Sequence, residues 1–216
     1  MLKIPYVSNS GNACALACYT MVAKYFFPNV TFDEIAKISE WEPGYVVWAF
    51  KFWYWIMEKG IQVEDYDLIA LEAWANEGIG GLKKSISKKE FEFYKKNTKD
   101  LEILTKDIQK VMSHKNFIYH QQKPEFYNLT KAFSEGGVCE VVLDSRTLDN
   151  RDGFSLHRVV VLDIADKEIT FHDPREKPRP ARQESVKLFE KAWLKAVSEP
   201  ELCIYRNSLI DEAKRP

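Results

Sequence analysis

Residues 14–26 carry apolar groups around most of a helical circumference. At 3.6-residue spacing Leu16, Thr20, Ala23 and Phe27 form one stripe, and Ala17, Met21 and Tyr25 form an adjacent one. A helix of this kind needs cover on several sides, so the rest of the chain is expected to wrap around it. A polar loop, residues 8–13, delivers the chain to this helix, and Cys14 stands at the junction. There a thiol meets the unpaired N–H groups and positive dipole end of the helix, which favour the thiolate that attacks carbonyl carbon.

At 216 residues with 45% hydrophobic content, the chain can build a sizeable core and is read as a single domain, 1–216. Its 31 basic and 32 acidic residues are interspersed and leave a net charge of −1, which argues against a nucleic-acid partner. No stretch approaches the roughly 18 apolar residues of a membrane span. The nearest, 45–57, is too short and contains Lys51. Residues 1–5 lack a basic segment followed by an apolar signal core, so a soluble cytoplasmic protein is expected. Cys14, Cys18, Cys139 and Cys203 show no paired CxxC spacing, which argues against a disulfide framework and a zinc site; no cofactor or metal is called for.

Along the chain, Pro28 ends the first helix, and Thr31 with Glu34 forms a capping-box pattern that opens a second helix to about Ser39. The aromatic segment 46–58, with Trp48, Phe50, Phe52, Trp53, Tyr54 and Trp55, reads as a core helix stopped at Gly60. A short strand over 61–66 and a helix over 68–76 follow. The glycines of 78–81 lack the spacing and lysine of a phosphate-binding loop and are predicted to be a flexible loop. Charged amphipathic helices are predicted over 88–97 and 101–113, a strand over 116–119, and a helix over 126–134 ended by Gly136 and Gly137.

The remainder is strand-like over 138–143, 156–164 and 169–171, with turn-rich connections that suggest an antiparallel sheet. Residues 175–182 read as a loop around Pro178 and Pro180, followed by a helix over 185–197 and a closing strand over 202–205. The expected class is therefore α+β, with a helical lobe, about 1–115, packed on a β-rich lobe, about 116–216, and a ligand cleft between them. His157 opens a β-branched run, and Asp173-Pro174 closes the next. A cysteine near the N-terminus followed by such a histidine and a carboxylate is the order used by papain-like enzymes. His172 competes with Asp173 as the third group, but alternation sends neighbours to opposite faces, and Asp173 is preferred. His114 and His120 flank the short 116–119 strand and are read as structural; Cys18, Cys139 and Cys203 are read as packing.

Ile4-Pro5-Tyr6-Val7-Ser8-Asn9 followed by Cys14, Ala17, Met21 and Tyr25 resembles the opening of papain-like peptidases related to the double-glycine leader peptidases of bacteriocin exporters. Gly137 before a strand, His157 opening the next strand, Asp173-Pro174, and the helix bearing Phe189 and Trp193 are similar to that family's C-terminal part. The resemblance implies a papain-like fold with a Cys14, His157, Asp173 triad acting on a peptide or amide substrate. It covers the first quarter and last two fifths of the chain; the middle, 45–122, has no counterpart.

Two positions depart from the family. Asn9 stands where the family has its oxyanion-hole glutamine, offering the same amide donor on a stem one methylene, about 1.5 Å, shorter. Ala15 replaces the glycine that usually follows the nucleophile, while its N–H stays available as a donor. Three functions fit these residues: hydrolysis of a peptide or amide, acyl transfer of the transglutaminase type, and a binding module that keeps the fold without useful catalysis.

Overall fold

The apolar helix takes the bounds its periodicity suggests, Cys14–Phe26 (α1), with Leu16, Ala17, Cys18, Tyr19, Met21, Val22 and Ala23 fully buried. The computed structural model describes residues 1–9, 13–175, 177–198 and 200–208. α2 (Phe32–Ile38) begins at the anticipated capping box: the Thr31 side chain accepts the Glu34 N–H while Glu34 reaches back to the Thr31 N–H. α3 covers Phe50–Glu58, shorter than the aromatic segment, and Gly60 past its end adopts φ +85°. Val46 and Val47 stay outside the helix, and the Val46 N–H donates to the Asn97 carbonyl.

One seven-stranded sheet forms the middle layer. Its strands are β1 (Ile61–Asp67), β2 (Phe117–Gln121), β3 (Val138–Asp144), β4 (Leu156–Ile164), β5 (Glu168–Asp173), β6 (Arg179–Ser185) and β7 (Leu202–Asn207). The order is β2-β1-β7-β3-β4-β5-β6, antiparallel throughout except for the parallel pair of β1 and β2. The protein is thus α+β, and its sheet draws β1 from the largely helical first half of the chain.

Every residue of β3 is buried, as expected of a strand covered on both faces. On one face α1, α2 and α3 pack with the helices α4 (Leu71–Glu77), α5 (Ile79–Ser85), α6 (Lys88–Asn97) and α7 (Leu101–Met112), around Leu16, Tyr19, Phe52, Ile56 and Tyr205. On the other, α8 (Phe126–Ser134), the short α9 (Ser145–Leu148), α10 (Val186–Glu190) and a π-helical turn (Lys191–Lys195) cover Leu129, Val159, Phe171, Phe189 and Trp193.

Three expectations need correction. The glycine cluster is not a flexible loop: Gly78 breaks α4 at φ +66°, and Gly80 and Gly81 lie inside α5. A Cβ on Gly81 would stand 2.1 Å from the Ala73 carbonyl oxygen, so glycine is what permits the two helices to approach. The proline-bearing stretch after Asp173 turns into strand at Arg179, at the sheet edge, where proline costs no ladder bond. Finally, the helix expected over 185–197 is a short α-helix that widens into the π turn. Among the described residues no helix is long and apolar enough to cross a membrane.

Candidate active site

Cys14 is the first residue of α1, half-buried, with no side-chain cap and no acidic residue in the first turn to oppose a thiolate. The helical bonds begin with the Ala17 N–H donating to the Ala13 carbonyl at 3.0 Å, so the N–H groups of Cys14 and Ala15 precede the ladder. Upstream, the Asn9 side-chain oxygen accepts the Ala13 N–H at 2.9 Å, which ties the start of the loop to the helix entrance. Because Ala13 can only donate, the oxygen of the Asn9 carboxamide is assigned to that contact, and its NH2 group is left for another acceptor. Ser10, Gly11 and Asn12 lie outside the described residues.

His157 stands near the start of β4, opposite Leu143 of β3. β5 runs antiparallel to β4 with His172 opposite Val160, so Asp173 arrives one position further along, diagonal to His157. The His157 Nε2–H donates to Asp173 Oδ1 at 2.7 Å. With Nε2 so engaged, Nδ1 is the nitrogen left for the Cys14 thiol, whose ionisation is coupled to that of His157. His172 takes a different role: Nε2 donates to the Ile4 carbonyl at 2.8 Å, Nδ1 accepts the Ala181 N–H at 3.1 Å, and Tyr6 packs against the ring edge-on.

The electrostatics follow from these contacts. Burial alone would raise the Cys14 thiol, but the hydrogen bond and charge of His157 and the Arg158 backbone N–H outweigh it and leave the thiol below its ordinary value. Burial alone would lower His157, yet Asp173 and Cys14 raise it to about 9. Asp173 is fully buried, and although burial opposes its charge, His157 and Arg175 hold it well below the usual carboxylate range. Both shifts run toward a thiolate facing an imidazolium.

Cys14, Ala15, His157 and Arg158 line a cleft of about 630 Å³ together with Tyr45 and Phe93. Through Val46, Val47, Val142 and Leu156 it continues into a deeper cavity of about 320 Å³. That cavity is walled by Trp48, Phe50, Trp53 and Tyr94, and Asp67 and Glu201 also border it. The aromatic segment therefore does two things: Phe52 is core, while Trp48, Phe50 and Trp53 wall the adjoining cavity. Phe93 and Leu156 remain 54% and 53% exposed at its rim, so apolar surface faces whatever enters.

The other sequence candidates lie apart. His114 bonds Glu58 and His120 bonds Glu64, each at 3.0 Å; Cys18 donates to the Arg158 carbonyl at 3.2 Å; Cys139 and Cys203 are buried in strands. Among the described residues no group of three or more His, Cys, Asp or Glu is placed to hold a metal ion. Sequence reasoning did not single out Arg175, Arg182 and Asp149, which gather behind Asp173; the run of arginines after Asp173-Pro174 was the one signal. Comparison with protein-family models, with curated proteins and with solved structures finds no match for this chain.

Proposed function

We propose that the protein is a thiol-dependent acyl-transfer enzyme, a cysteine peptidase or amidase of papain-like type, similar to the double-glycine leader peptidases. The observation that carries this reading is the His157 imidazole, held by Asp173 at 2.7 Å and electrostatically coupled to Cys14, with which it lines an open cleft. In the reaction, the Cys14 thiolate adds to a carbonyl carbon, and the electron pair moves to the carbonyl oxygen. That oxyanion would be met by N–H donors at the α1 start and by the Asn9 NH2 group. The His157 imidazolium then gives its Nδ1 proton to the leaving amine, the C–N bond breaks, and a thioester remains. Neutral His157 next takes a proton from the incoming water or amine, whose attack releases the Cys14 thiolate. The apolar rim and aromatic cavity favour a substrate with bulky apolar groups near the reacting carbonyl.

A panel of peptide, amide and thioester probes, run beside Cys14→Ala, tests the reading. Turnover by the parent, lost in the variant and in His157→Ala, is the expected result. A parent protein that neither turns over any probe nor reacts with iodoacetamide at Cys14 would leave a binding module instead. Products formed with and without an added amine separate hydrolysis from transfer, since both acceptors are competent toward a thioester.

A further inference from the structure

Asp173 has more partners than a histidine-orienting carboxylate needs. Its Oδ1 accepts from His157 Nε2 and from Arg175 Nε, both at 2.7 Å, and its Oδ2 accepts from Arg182 Nη1 at 2.9 Å. The two guanidiniums are linked to each other through Asp149, which follows α9: Arg182 Nη1 reaches Asp149 Oδ1 at 3.0 Å, and Arg175 Nη1 bonds Asp149 Oδ2. Arg179 Nη1 adds a bond to Asp149 Oδ1 at 2.9 Å without touching Asp173. Arg182 is fixed from its far side as well, donating to Glu184 Oε1 at 2.6 Å and to the Leu148 carbonyl at 2.9 Å. Three arginines thus face Asp149, Asp173 and Glu184 in a closed network.

We infer that Arg182 and Arg175 are positioning residues of the thiol site, which lock the Asp173 carboxylate onto His157 and so hold Nδ1 toward Cys14. The inference rests on the thiol-enzyme reading above. Asp173 bonded to His157 alone could rotate about its side chain; with both oxygens clamped by forked, charged donors it has one orientation. The clamp has an electrostatic consequence too. His157 faces the Cys14 thiol from α1 and Asp173 from β5, and Asp173 faces Arg175 from the following turn and Arg182 from β6, with Asp149 behind both. Tyr6 donates to the Asp173 carbonyl, and Arg158, next to His157 on β4, directs its guanidinium to Glu140 and Glu201. Without the clamp Asp173 can turn away from the ring, and the imidazolium loses part of the carboxylate charge that stabilises it.

Arg182→Met and Arg175→Met test this against Arg182→Lys, which keeps the charge, and Arg179→Met, which removes a cation that does not touch Asp173. The first readout is the rate of Cys14 alkylation by iodoacetamide against pH; the second is the ¹⁵N titration of His157 in a Cys14→Ala background. Each Met variant at 182 or 175 should move loss of the imidazolium downward by about half to one pH unit and slow alkylation at pH 7, with Arg182→Lys intermediate and Arg179→Met unchanged. Variants that lower only the thermal midpoint, with the His157 titration where the parent has it, overturn the inference. If Arg182→Met does not fold, Arg175→Met supplies the same measurement. Failure of the thiol-enzyme reading looks different: the parent's Cys14 is then unreactive, or indifferent to His157→Ala, whatever the arginines do to the histidine titration.

Discussion

The side-chain oxygen of Asn9 accepts the N–H of Ala13 at 2.9 Å, one residue before the nucleophile candidate. The contact makes Asn9 an anchor of the loop that ends at Cys14, and it settles which edge of the carboxamide remains to donate. Under the thiol-enzyme proposal Asn9 would join two tasks: shaping the approach to α1 and supplying an N–H to developing negative charge.

The two tasks come apart by substitution. Asn9→Asp keeps an acceptor for Ala13 but has no amide donor, whereas Asn9→Ala loses both. Turnover of a reactive probe should fall in both variants by about 100- to 1000-fold, the range for loss of one oxyanion donor. The alanine variant should in addition lower the melting temperature. Alkylation of Cys14, measured in parallel, corrects for the charge that aspartate introduces. An aspartate variant with the parent's turnover per reactive thiol would assign Asn9 to loop anchoring alone.

Cys14 reactivity should follow a two-limbed pH profile. The lower limb reflects thiol ionisation and lies below the ordinary cysteine value because His157 and the Arg158 N–H favour the thiolate. The upper change, loss of the imidazolium, falls near pH 9, where Asp173 and Cys14 place His157. Asp173→Asn should bring the upper change down, since the neutral amide no longer stabilises the charged ring, and His157→Ala should raise the lower limb toward that of a free thiol. Alkylation rates from pH 4 to 10, with mass-spectrometric assignment to Cys14, read both.

The sequence made α1 and the α2 capping box legible because both are local: stripes at 3.6-residue spacing, and Thr31 three residues before Glu34. It also placed Cys14, His157 and Asp173 in order, and strand alternation reduced the choice at the third position to His172 or Asp173. What decides that choice is the register of β5 on β4, which depends on a bulge between Val161 and Asp163 that no local pattern announces. α5 was hidden for a similar reason: glycines read as breakers unless a neighbouring helix requires them. The partnership of Asp149 with Arg175 and Arg182 is purely tertiary, and the prolines around the arginines disguised an edge strand as a loop.

Gly81 offers a direct check on that hidden helix. A Cβ there would meet the Ala73 oxygen at 2.1 Å and carbon at 2.4 Å, both backbone atoms that can move only if α4 and α5 separate. Gly81→Ala should therefore cost about 1–3 kcal/mol or more, as overpacking does. Gly80→Ala meets nothing within 4 Å and should be neutral or stabilise by up to about 1 kcal/mol through helix propensity. Urea denaturation of the pair distinguishes a packed helix from a loose loop, in which the two substitutions would be equivalent.

Glu140 gives the fold a pH dependence separate from the reaction. It is fully buried on β3, accepting from the Tyr205 hydroxyl at 2.6 Å and from Arg158 Nη1 at 3.1 Å, with its second oxygen unpartnered. Burial raises it to about 7 despite the opposing pull of Arg158 and Tyr205. A carboxyl raised on folding binds a proton that the unfolded chain releases near its ordinary value of about 4.3. Its contribution to stability therefore declines as pH rises from there to about 7, and is level above. Glu140→Gln can still accept from Tyr205 and should flatten that part of the profile, changing the stability difference between pH 5 and pH 8 by on the order of 1–3 kcal/mol relative to the parent. His157, whose stabilising charge is lost toward pH 9, slopes the same way in both proteins, whereas Asp65 is raised in part by the Glu140 charge, so the difference between the two urea-denaturation series reads Glu140 together with its effect on Asp65. Parallel profiles for parent and variant would mean that Glu140 keeps its charge when buried, with Arg158 fully compensating it.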